Sequence, residues 1–547
     1  MTITRRREWS IVLITWWIGA LVFHRQIWTS GFDKLGGDNG DQRLAVVLHE
    51  HWLKVFSGDA SWLTPNFFHP VSDTLGYSDT FVLDLVFYAP LRLLGLSPMM
   101  ALQFTTILLG LVGFVGMYLV CRRLVSAPLP VALTAAWLVA FANNLFLHTG
   151  HQQLFAVNWV PWCILLAAKA LRAQSRREAL IWACGCGFLV GTLLYSTYYV
   201  GWFTVFTAGL VGGMYLLHRR QPMRLSVRNL WPRAVAFVLG VAVPMVPFAL
   251  TYLPKLDETG GRRLKNVVNG LPDARDLIHH GRGNIWHETM VLIAGKPTRG
   301  HGSEQSMALT PVLMLTVFAC GVLLRCYARH DRSPRVVLAR ALVASSVVLT
   351  VLPIRFGDTS LWRGVWTVVP GARALRAVDR IQLLNDVVAA LAISLTAAIV
   401  HGRLQTTGRQ IGRRALIAIS CLLFVLVGEQ LNTVPQARID RARESARVAG
   451  VPTPPSECDS FIIAPISDRP HYAISIDAMW IAQSTGLPTL NGYSGAAPPL
   501  WDLDPTNSRY LAFAARWANR QGLSNVCLYD SDVRRWETGA LDGINVR

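Results

Sequence analysis

The chain opens its first long polar loop with WTSGFDKLGGDNGDQR (residues 28–43), and the loop continues past NFFHPVSDTLGYSDT (66–80). It separates two apolar segments that are each long enough to span a membrane. Asp38 and Asp41 lie about ten residues beyond the first of these segments, where two acids would face a substrate held at the membrane surface. A simpler interpretation is that Asp41 caps the helix that begins near Gln42, while Asp38 lies in a glycine-rich turn.

The composition is that of a membrane protein. Of the 547 residues, 52% are hydrophobic and 16% are charged, and the mean hydropathy is +0.35. Apolar runs of span length recur, which excludes an ordinary soluble enzyme. The N-terminal sequence MTITRRREWS has a basic flank, a following apolar run and no small-residue cleavage site, so it predicts a retained signal anchor with a cytoplasmic N-terminus. Because arginine is abundant and lysine rare, we expect a bacterial inner-membrane protein.

The hydropathy pattern predicts eleven membrane-spanning helices, at residues 9–28, 99–120, 129–146, 154–171, 179–197, 199–217, 234–253, 308–324, 336–352, 381–400 and 415–431. Arginine clusters follow every second span and fall on the side of the N-terminus, provided that segment 81–95 does not cross. That segment is short and contains two charged residues and a proline, as expected of a re-entrant or surface-lying helix. Pro244 and Pro247 should kink the seventh span without breaking it.

The composition changes after the last span. Short strands are predicted at 461–465, 471–477 and 525–530, with helical patterns at 478–484 and 508–520. These elements indicate a small α/β domain, which the odd number of spans places outside the cytoplasm. The predicted fold is therefore an all-α polytopic membrane module with surface helices in its first loop, followed by this domain. The module covers residues 1–432, its outer loops are 29–98, 254–307 and 353–380, and the extracytoplasmic domain covers 433–547.

The nine cysteines divide by location. Seven lie in or at the ends of predicted spans, where packing is their expected role. Cys458 and Cys527 lie in the C-terminal region, each next to a predicted strand. An oxidising compartment would allow these two to form a disulfide.

Polar segments from several loops meet on the outer face in this topology. HTGHQQ (148–153) places two histidines and two amides between apolar spans, and hydrogen bonding to sugar hydroxyls or to the acidic loop is favoured over metal binding there. Two tyrosines at the start of the sixth span also fit an aromatic belt. The predicted substrate-binding residues are His69, His148, His151, Gln152, Tyr198 and Tyr199.

The second and third outer loops are strongly basic. Long loops escape the positive-inside rule, so these charges do not overturn the topology. Contact with lipid headgroups explains them simply, but the planar fork of arginine also matches phosphate oxygens. Arg376 and Arg380 are four residues apart near the start of the tenth span, so on a helix they would share a face. The candidate donor-phosphate residues are Arg282, Arg355, Arg376 and Arg380.

An ordered set of motifs resembles a poorly characterised bacterial branch of the GT-C superfamily of integral-membrane glycosyltransferases. The motifs are GD-x-x-D (37–41), FFHP (67–70), LGYSD (75–79), AP-L-x-x-LGLSP (89–98), GH-x-Q (150–153), PGARALRAVDR (370–380) and TGLPTLNGYSG (485–495). The resemblance covers most of the membrane region and implies the GT-C fold.

The resemblance also implies a reaction. Such enzymes take a sugar from a polyprenyl-phosphate carrier at the outer face of the membrane and pass it to a glycan, lipid or protein acceptor, here for cell-envelope glycan or glycolipid assembly. An aspartate of the first loop acts as general base, sometimes beside a divalent cation such as Mg or Mn that Asp38 and Asp41 would hold. Better-known members have an Asp-Glu pair where this chain has Asp41 and Gln42. Whether Asp38 or Asp41 is the base therefore stays open.

The chemistry of the residues agrees with that reaction. Sugar transfer from a lipid phosphate, here expected to invert the sugar, needs a carboxylate to accept a proton and cations to stabilise the departing phosphate. No nucleotide-binding motif follows a predicted strand, so neither a nucleotide cofactor nor a nucleic-acid partner is expected. A transporter or flippase of lipid-linked sugars is the alternative. It predicts ionisable residues inside the spans, and the predicted spans are almost free of Asp, Glu and Arg.

Overall fold

The computed structural model describes residues 5–219, 227–297, 308–408, 412–466, 469–542 and 544. Residues 298–307 of the predicted loop 254–307, and parts of both termini, lie outside this set. In chain order the α-helices are α1 (Arg5–Phe23), α2 (Arg25–Thr29), α3 (Asp41–Ser57), α4 (Leu85–Leu93), α5 (Pro98–Leu119), α6 (Leu129–Ala140), α7 (Asn143–Leu147), α8 (Val160–Arg172), α9 (Arg176–Ser196), α10 (Tyr198–His218), α11 (Val227–Thr259), α12 (Leu264–Gly270), α13 (His287–Ala294), α14 (Pro311–Ala328), α15 (Pro334–Val351), α16 (Trp362–Val368), α17 (Gln382–Thr406), α18 (Arg413–Gly428), α19 (Arg441–Ala449), α20 (His471–Thr485) and α21 (Tyr510–Gln521).

The strands are short and form three small sheets. In chain order they are β1 (Lys34–Leu35), β2 (Arg355–Phe356), β3 (Thr359–Ser360), β4 (Ile439–Asp440), β5 (Ser460–Ile463), β6 (Val526–Asp530) and β7 (Arg535–Glu537). β1 pairs with β4 and β2 pairs with β3, both antiparallel, while the third sheet has the order β5-β6-β7.

Nine helical segments of the described chain are long and apolar enough to cross a membrane. They coincide with the second to tenth predicted spans, so the mostly helical, multi-pass membrane fold is confirmed. Helices α1 and α18 lie where the first and eleventh spans are predicted. α1 begins with three arginines and a glutamate, and α18 has 16 residues. The total of eleven spans stays a prediction.

The ends of the spans gather into two groups. We call one group of helix ends the arginine end. There Glu8 of α1 forms an ion pair with Arg122 at 2.7 Å. There Arg335 also donates a hydrogen bond to the carbonyl oxygen of Val125, at 3.1 Å. The opposite end, which carries the first polar loop, is called the loop end. Arginines from loops far apart in the chain thus lie together with the N-terminal helix, as the predicted topology requires.

The seventh predicted span is one continuous helix, α11, of 33 residues, about 50 Å in length. It continues through Pro244 and Pro247, as predicted. α11 lies very close to α9 because both helices carry glycines where they meet. A side chain at Gly187 would strike the backbone of Phe237, and one at Gly240 would strike α9. Small residues at a contact allow two membrane helices to approach in this way.

The segment predicted not to cross the membrane forms a 3₁₀ turn over Val82–Asp84 and then helix α4. α4 has nine residues and is about 14 Å long, which is less than half the thickness of a hydrocarbon core. The segment therefore does not cross, and the parity of the predicted spans is preserved.

The C-terminal region contains the predicted α/β elements with one correction. β5 and β6 are parallel, with Phe461 opposite Cys527, and Cys458 is joined to Cys527 by a disulfide with a Cα–Cα distance of 5.6 Å. The strand predicted at 471–477 is wrong, because these residues form the first half of α20, which follows Pro470. Ten of the 15 residues of α20 are buried, including all but Trp480 between Ala473 and Gln483, so its sequence lacks the helical alternation of apolar and polar residues that would have identified it.

The C-terminal region packs directly on the first loop. β1 of the loop pairs with β4, with Lys34 opposite Asp440. The N–H of Phe68 donates to the carbonyl oxygen of Asn491 at 3.0 Å, and a side chain at Gly492 would collide with the Phe68 ring. The domain boundary predicted at residue 432 falls between α18 and β4 and stays a prediction. The two regions nevertheless enclose a site together.

One acid lies well inside a predicted span, where ionisable residues were expected to be almost absent. Asp386 lies in α17 and is buried. It accepts a hydrogen bond from the Nδ2 of Asn144 at 2.9 Å, as a buried carboxyl group requires.

Candidate active site

The turn that carries the two predicted aspartates is fixed by neighbours on both sides. The N–H of Gly36 donates to Oε1 of Gln103 in α5 at 2.9 Å, and the N–H of Gly37 donates to the carbonyl oxygen of Gln436 at 3.1 Å. Gly37 has a φ of +109°, and a side chain there would collide with Gln42. Glycine is therefore the residue that this position accepts, and the turn holds Asp38 and Asp41 at the loop end.

Asp38 lies against the segment that follows α7. Its Oδ1 accepts the N–H of Gly40 at 3.0 Å, and a Cβ built at Gly150 would lie 3.0 Å from its Oδ2. Burial raises the pKa of the Asp38 carboxyl group, and the neighbouring charge of Asp41 adds to the rise. Asp38 thus takes up a proton more readily than an exposed aspartate.

Asp41 is the first residue of α3, and the N-cap is Gly40. The simpler interpretation of Asp41 as the capping residue is therefore wrong. Its Oδ2 lies 3.5 Å from Nε2 of His151, and the hydroxyl of Tyr493 donates to its Oδ1 at 3.3 Å. A carboxylate in the first turn of a helix is also favoured by the helix dipole. These contacts orient Asp41 while 30% of its side chain stays exposed.

A third carboxyl group, Asp79, belongs to the same place. It accepts the N–H of Tyr198, the first residue of α10, at 3.0 Å. Burial raises the pKa of Asp79 to about 6, although the hydrogen bond from Tyr198 and the charge of Arg380 act in the opposite direction; the charge of Asp41 contributes to the rise. The charges of Asp41 and Arg380 therefore both act on Asp79. We call Asp38, Asp41 and Asp79 the carboxyl cluster.

Arg380 is a buried cation of this site. It lies in the 3₁₀ turn Val378–Ile381 that precedes α17. Its side chain is buried, and its guanidinium lies 5.1 Å from the centre of the Tyr199 ring, within the range of a cation–π contact. A buried arginine near partly exposed carboxyl groups is well placed to bind a phosphate that enters the site.

The predicted partner of Arg380, Arg376, contacts the same tyrosine but does not share a helix with Arg380. Arg376 precedes the helix and is exposed, so the prediction that the two arginines share a helical face is wrong. The reason is local: the Tyr199 hydroxyl accepts the N–H of Arg376 at 2.8 Å and that of Ala377 at 3.3 Å. This contact holds the segment outside the helix.

The two tyrosines predicted to bind substrate also position the neighbouring segments. Besides its backbone bond to Asp79, Tyr198 donates its hydroxyl hydrogen to the carbonyl oxygen of Gly371 at 3.0 Å. Tyr199 contacts Arg380 through its ring and accepts from the chain at Arg376 through its oxygen. Both residues therefore tie the start of α10 to the segment that presents Arg380.

Of the predicted histidines and amides, His151 reaches the carboxyl cluster. His148 is buried behind it, with Nδ1 at 2.8 Å from the carbonyl oxygen of Asn144, and the two imidazole rings are 5.7 Å apart. Gln152 is also buried. Its amide accepts from Thr106 and donates to Asp84, each at 2.8 Å. Gln152 and His148 therefore support the site from behind.

His69 lies at the joint with the C-terminal region. Its N–H donates to the carbonyl oxygen of Thr489 at 3.0 Å, and its own carbonyl oxygen accepts from Nε1 of Trp517 at 3.0 Å. Burial lowers the pKa of its imidazole. These contacts make His69 part of the packing between the first loop and α21.

The other two predicted phosphate residues have different surroundings. Arg355 forms a two-point ion pair with Asp273, with its Nε and Nη2 each donating at 2.9 Å. Arg282 is exposed on a segment whose glycines, Gly281 and Gly283, pack against Asn432. The contact of Arg355 with Asp273 occupies the donors that a phosphate would need.

The C-terminal region supplies one wall of the site through the motif TGLPTLNGYSG. Beyond the bond from Tyr493 to Asp41, Ser494 donates to the carbonyl oxygen of Tyr77 at 2.7 Å, and Arg262 donates to the carbonyl oxygen of Gly495 at 2.8 Å. Burial and the charge of Asp41 raise the pKa of Tyr493, so its hydroxyl stays protonated as a donor. The site is thus enclosed by residues from both ends of the sequence.

Solved structures of other proteins share this architecture. No protein-family model and no curated protein matches the sequence. The oligosaccharyltransferase of Archaeoglobus fulgidus is 12% identical and superposes with a TM-score of 0.51, over 96% of this chain and 70% of that one. The arabinofuranosyltransferase AftD from mycobacteria is 14% identical with a TM-score of 0.53, over 97% of this chain and 37% of AftD. The chain has the GT-C fold.

The fold that the motif resemblance implied is therefore confirmed. This chain spans little more than a third of the length of AftD. In both comparisons nearly the whole of the present chain is matched, so the first loop and the C-terminal region belong to the shared architecture along with the spans.

Sequence reasoning missed two residues of this GT-C site, Asp79 and Tyr493. Both lie in motifs that carried the resemblance, LGYSD and TGLPTLNGYSG, which was the available signal. Asp79 meets Tyr198 across 119 residues of sequence, and Tyr493 meets Asp41 across 452. Contacts between residues so far apart in the sequence cannot be inferred from the local spacing of residues.

A divalent cation can be tested against the donor set. Within the described residues, no group of three or more His, Cys, Asp or Glu side chains is placed to hold a metal ion. Mg²⁺ commonly takes one or two carboxylates from a protein and completes its shell with phosphate oxygens and water. Asp38 and Asp41 would supply these two carboxylates, and a phosphate-bearing substrate and water would supply the remaining ligands.

Proposed function

We propose that the chain is a membrane glycosyltransferase that moves a sugar from a polyprenyl-phosphate donor to the hydroxyl of a glycan, lipid or protein acceptor. In this proposal the N-terminus is cytoplasmic, the loop end faces the outside of the cytoplasmic membrane, and the product enters the cell envelope. The observation that carries the proposal is the convergence of the carboxyl cluster with Arg380 at the loop end of a GT-C fold.

Asp41 is the general base of the proposed reaction. Its charge acts on both Asp38 and Asp79, and its side chain is partly exposed. It accepts the proton of the acceptor hydroxyl while that oxygen bonds to the anomeric carbon and the bond from this carbon to the donor phosphate breaks. Attack from the side opposite the phosphate inverts the sugar. His151 and Tyr493 keep the Asp41 carboxylate oriented.

Arg380 receives the departing phosphate. The guanidinium is held by the Tyr199 ring and lies beside Asp79 in a buried setting, where charge stabilisation is stronger than in water. A fixed fork of donors needs no rearrangement as negative charge develops on the phosphate oxygens. A divalent cation held by Asp38 and Asp41 would supply further charge neutralisation at the same phosphate.

The proposal is tested with purified protein in nanodiscs, supplied with polyprenyl-phosphate sugars and with candidate acceptors. We expect sugar transfer with at least one donor. Arg380→Lys keeps the charge but loses the fork, so the KM for the donor should rise on the order of tenfold. Arg376→Lys is the matched control, because Arg376 is exposed, and it should stay close to wild type. Absence of transfer with every donor, or equal donor kinetics in both variants, would contradict the proposal.

Transport of a lipid-linked sugar is the second candidate, and Asp386 is the observation that favours it. This acid lies inside a predicted span and is hydrogen-bonded to Asn144, and ionisable residues in spans often mark transport paths. Liposomes with a fluorescent lipid-linked sugar distinguish the two functions. A transporter moves the lipid between leaflets without altering it, and Asp386→Asn should then stop the movement.

A further inference from the structure

A second charged site lies next to α3, away from the carboxyl cluster. It is a cavity of about 280 Å³ formed by α3, α19, α20 and the turn that follows β6. Five arginines line it: Arg43, Arg443, Arg447, Arg469 and Arg534. We call it the arginine cavity. Nothing in the proposed transfer reaction uses it.

The floor of the cavity holds more positive than negative charge. Arg43 is almost completely buried and forms ion pairs with Glu444, at 2.7 Å, and with Asp477. Arg447 lies 3.1 Å from Glu444, and Arg469 lies 2.6 Å from Asp477. Three guanidinium groups thus share two carboxylates. Burial of charge is costly unless it is compensated, so the floor is suited to receive a further anion.

The rim of the cavity adds to this excess. Arg443 and Arg534 are exposed there, and Asp532 is the acid beside them. Counted over the whole lining, five arginines face three carboxylates, which leaves two positive charges. A doubly charged phosphate would balance them.

The position of Arg534 is itself built into the chain. Its backbone has a φ of +55°, in the left-handed region that residues other than glycine seldom adopt. Its guanidinium lies against Gly450, in space that any larger side chain at that position would fill. Backbone strain of this kind persists where the surrounding structure requires it. Here it places a fifth guanidinium at the mouth of the cavity.

We infer that the arginine cavity is a binding site for a phosphate group carried by a glycan or by a sugar. Arginine forks match phosphate oxygens in pairs, and the cavity has room for a phosphate with part of the residue that bears it. Arg43 lies two positions after Asp41 on α3, so a bound phosphate would brace the helix that presents the proposed base. The anion site goes beyond the transfer reaction and does not depend on it.

The inference is tested by calorimetric titration of the full chain, in nanodiscs of neutral lipid, with inorganic phosphate and with glucose 1-phosphate. Arg443→Gln and Arg534→Gln remove rim charges while the buried floor stays intact. Each should weaken binding about tenfold or more, as expected for loss of a charge-assisted contact. Arg520→Gln is the control, because Arg520 is an exposed arginine at the end of α21 outside the cavity, and it should bind as wild type does.

The outcomes separate the possible sources of the phosphate. Unchanged glucose 1-phosphate binding in nanodiscs that contain phosphatidylglycerol supports a soluble or glycan-borne phosphate. If these nanodiscs suppress the binding, the site takes a lipid headgroup and the assignment to a glycan or sugar is overturned. Three further results would overturn the inference: no binding at millimolar ligand, binding that both rim variants retain but Arg380→Gln loses, or tighter binding of glucuronate than of phosphate.

Discussion

The carboxyl cluster and the arginine cavity lie on opposite sides of one helix, because Asp41 and Arg43 are two positions apart on α3 and so about 200° apart around its axis. In the cluster, burial raises the pKa of Asp38 and that of Asp79. In the cavity, Asp477 is buried as well, with 5% of its surface exposed. Burial there also acts to raise the pKa, but the charges of three arginines hold it below its ordinary value.

The difference teaches that burial alone does not fix the charge of a carboxyl group; the number of cations around it decides. The cluster gathers three acids with one buried arginine, and it is therefore suited to exchange protons. The cavity gathers three acids with five arginines, and it is therefore suited to bind anions. One helix separates proton chemistry from anion binding, and each side can be tested by itself.

The largest expected effect is on the cavity side. Arg43→Gln leaves Glu444 and Asp477 buried with fewer cations, so the free energy of unfolding should fall by about 3 to 5 kcal/mol. Denaturant unfolding of the full chain in detergent, followed by tryptophan fluorescence, measures the change. Arg441→Gln is the control on α19, because Arg441 has a 3.4 Å surface pair with Asp33, and it should change stability by about 0 to 1 kcal/mol. Similar losses in both variants would remove the distinction between a buried and a surface arginine.

A smaller effect on stability is expected from pH, with opposite signs in the two regions. The pKa of Asp79 is about 6 in the folded protein and about 3.9 in an unfolded chain. Its protonated form therefore stabilises the fold below pH 4, and this contribution, about 3 kcal/mol at most, is lost as the pH rises through 6. Asp79→Asn should show a smaller drop in melting temperature than the wild type between pH 4 and pH 7.

Asp477 should behave in the opposite way. Its pKa is lower in the folded protein than its ordinary value, so its ionised form gives stability that is present above the unfolded pKa and lost as the pH falls. Asp477→Asn should therefore lose less stability on acidification than the wild type. If both Asn variants changed the pH dependence in the same direction, the contrast between the two sides of α3 would be wrong.

The spans were predictable because each is a continuous apolar run, which can be recognised without knowing what packs against it. The same reasoning failed for α20, whose central residues are almost all buried and whose sequence carries no helical pattern. It also failed for Arg376, since the chain direction there is set by the hydroxyl of Tyr199, which belongs to a different helix.

The candidate site was predictable in part. Asp38, Asp41 and His151 were identified because they cluster within short polar stretches between spans. Asp79, Arg380 and Tyr493 join them only through folding, and of these three the sequence pointed to Arg380 alone. The arginine cavity was not foreseen, because its five arginines come from separate elements and each looks like an ordinary solvated charge where it stands in the sequence.

The most direct test of the central claim compares sugar transfer by Asp41→Asn and by Asp33→Asn. Both changes remove one acid from the first loop, but Asp33 is exposed, and Gly40 remains the N-cap of α3 in either variant. If Asp41 is the general base, Asp41→Asn should reduce the transfer rate on the order of a hundredfold or more, with unchanged expression and melting temperature, while Asp33→Asn stays at the wild-type rate. Wild-type transfer by Asp41→Asn would contradict the account.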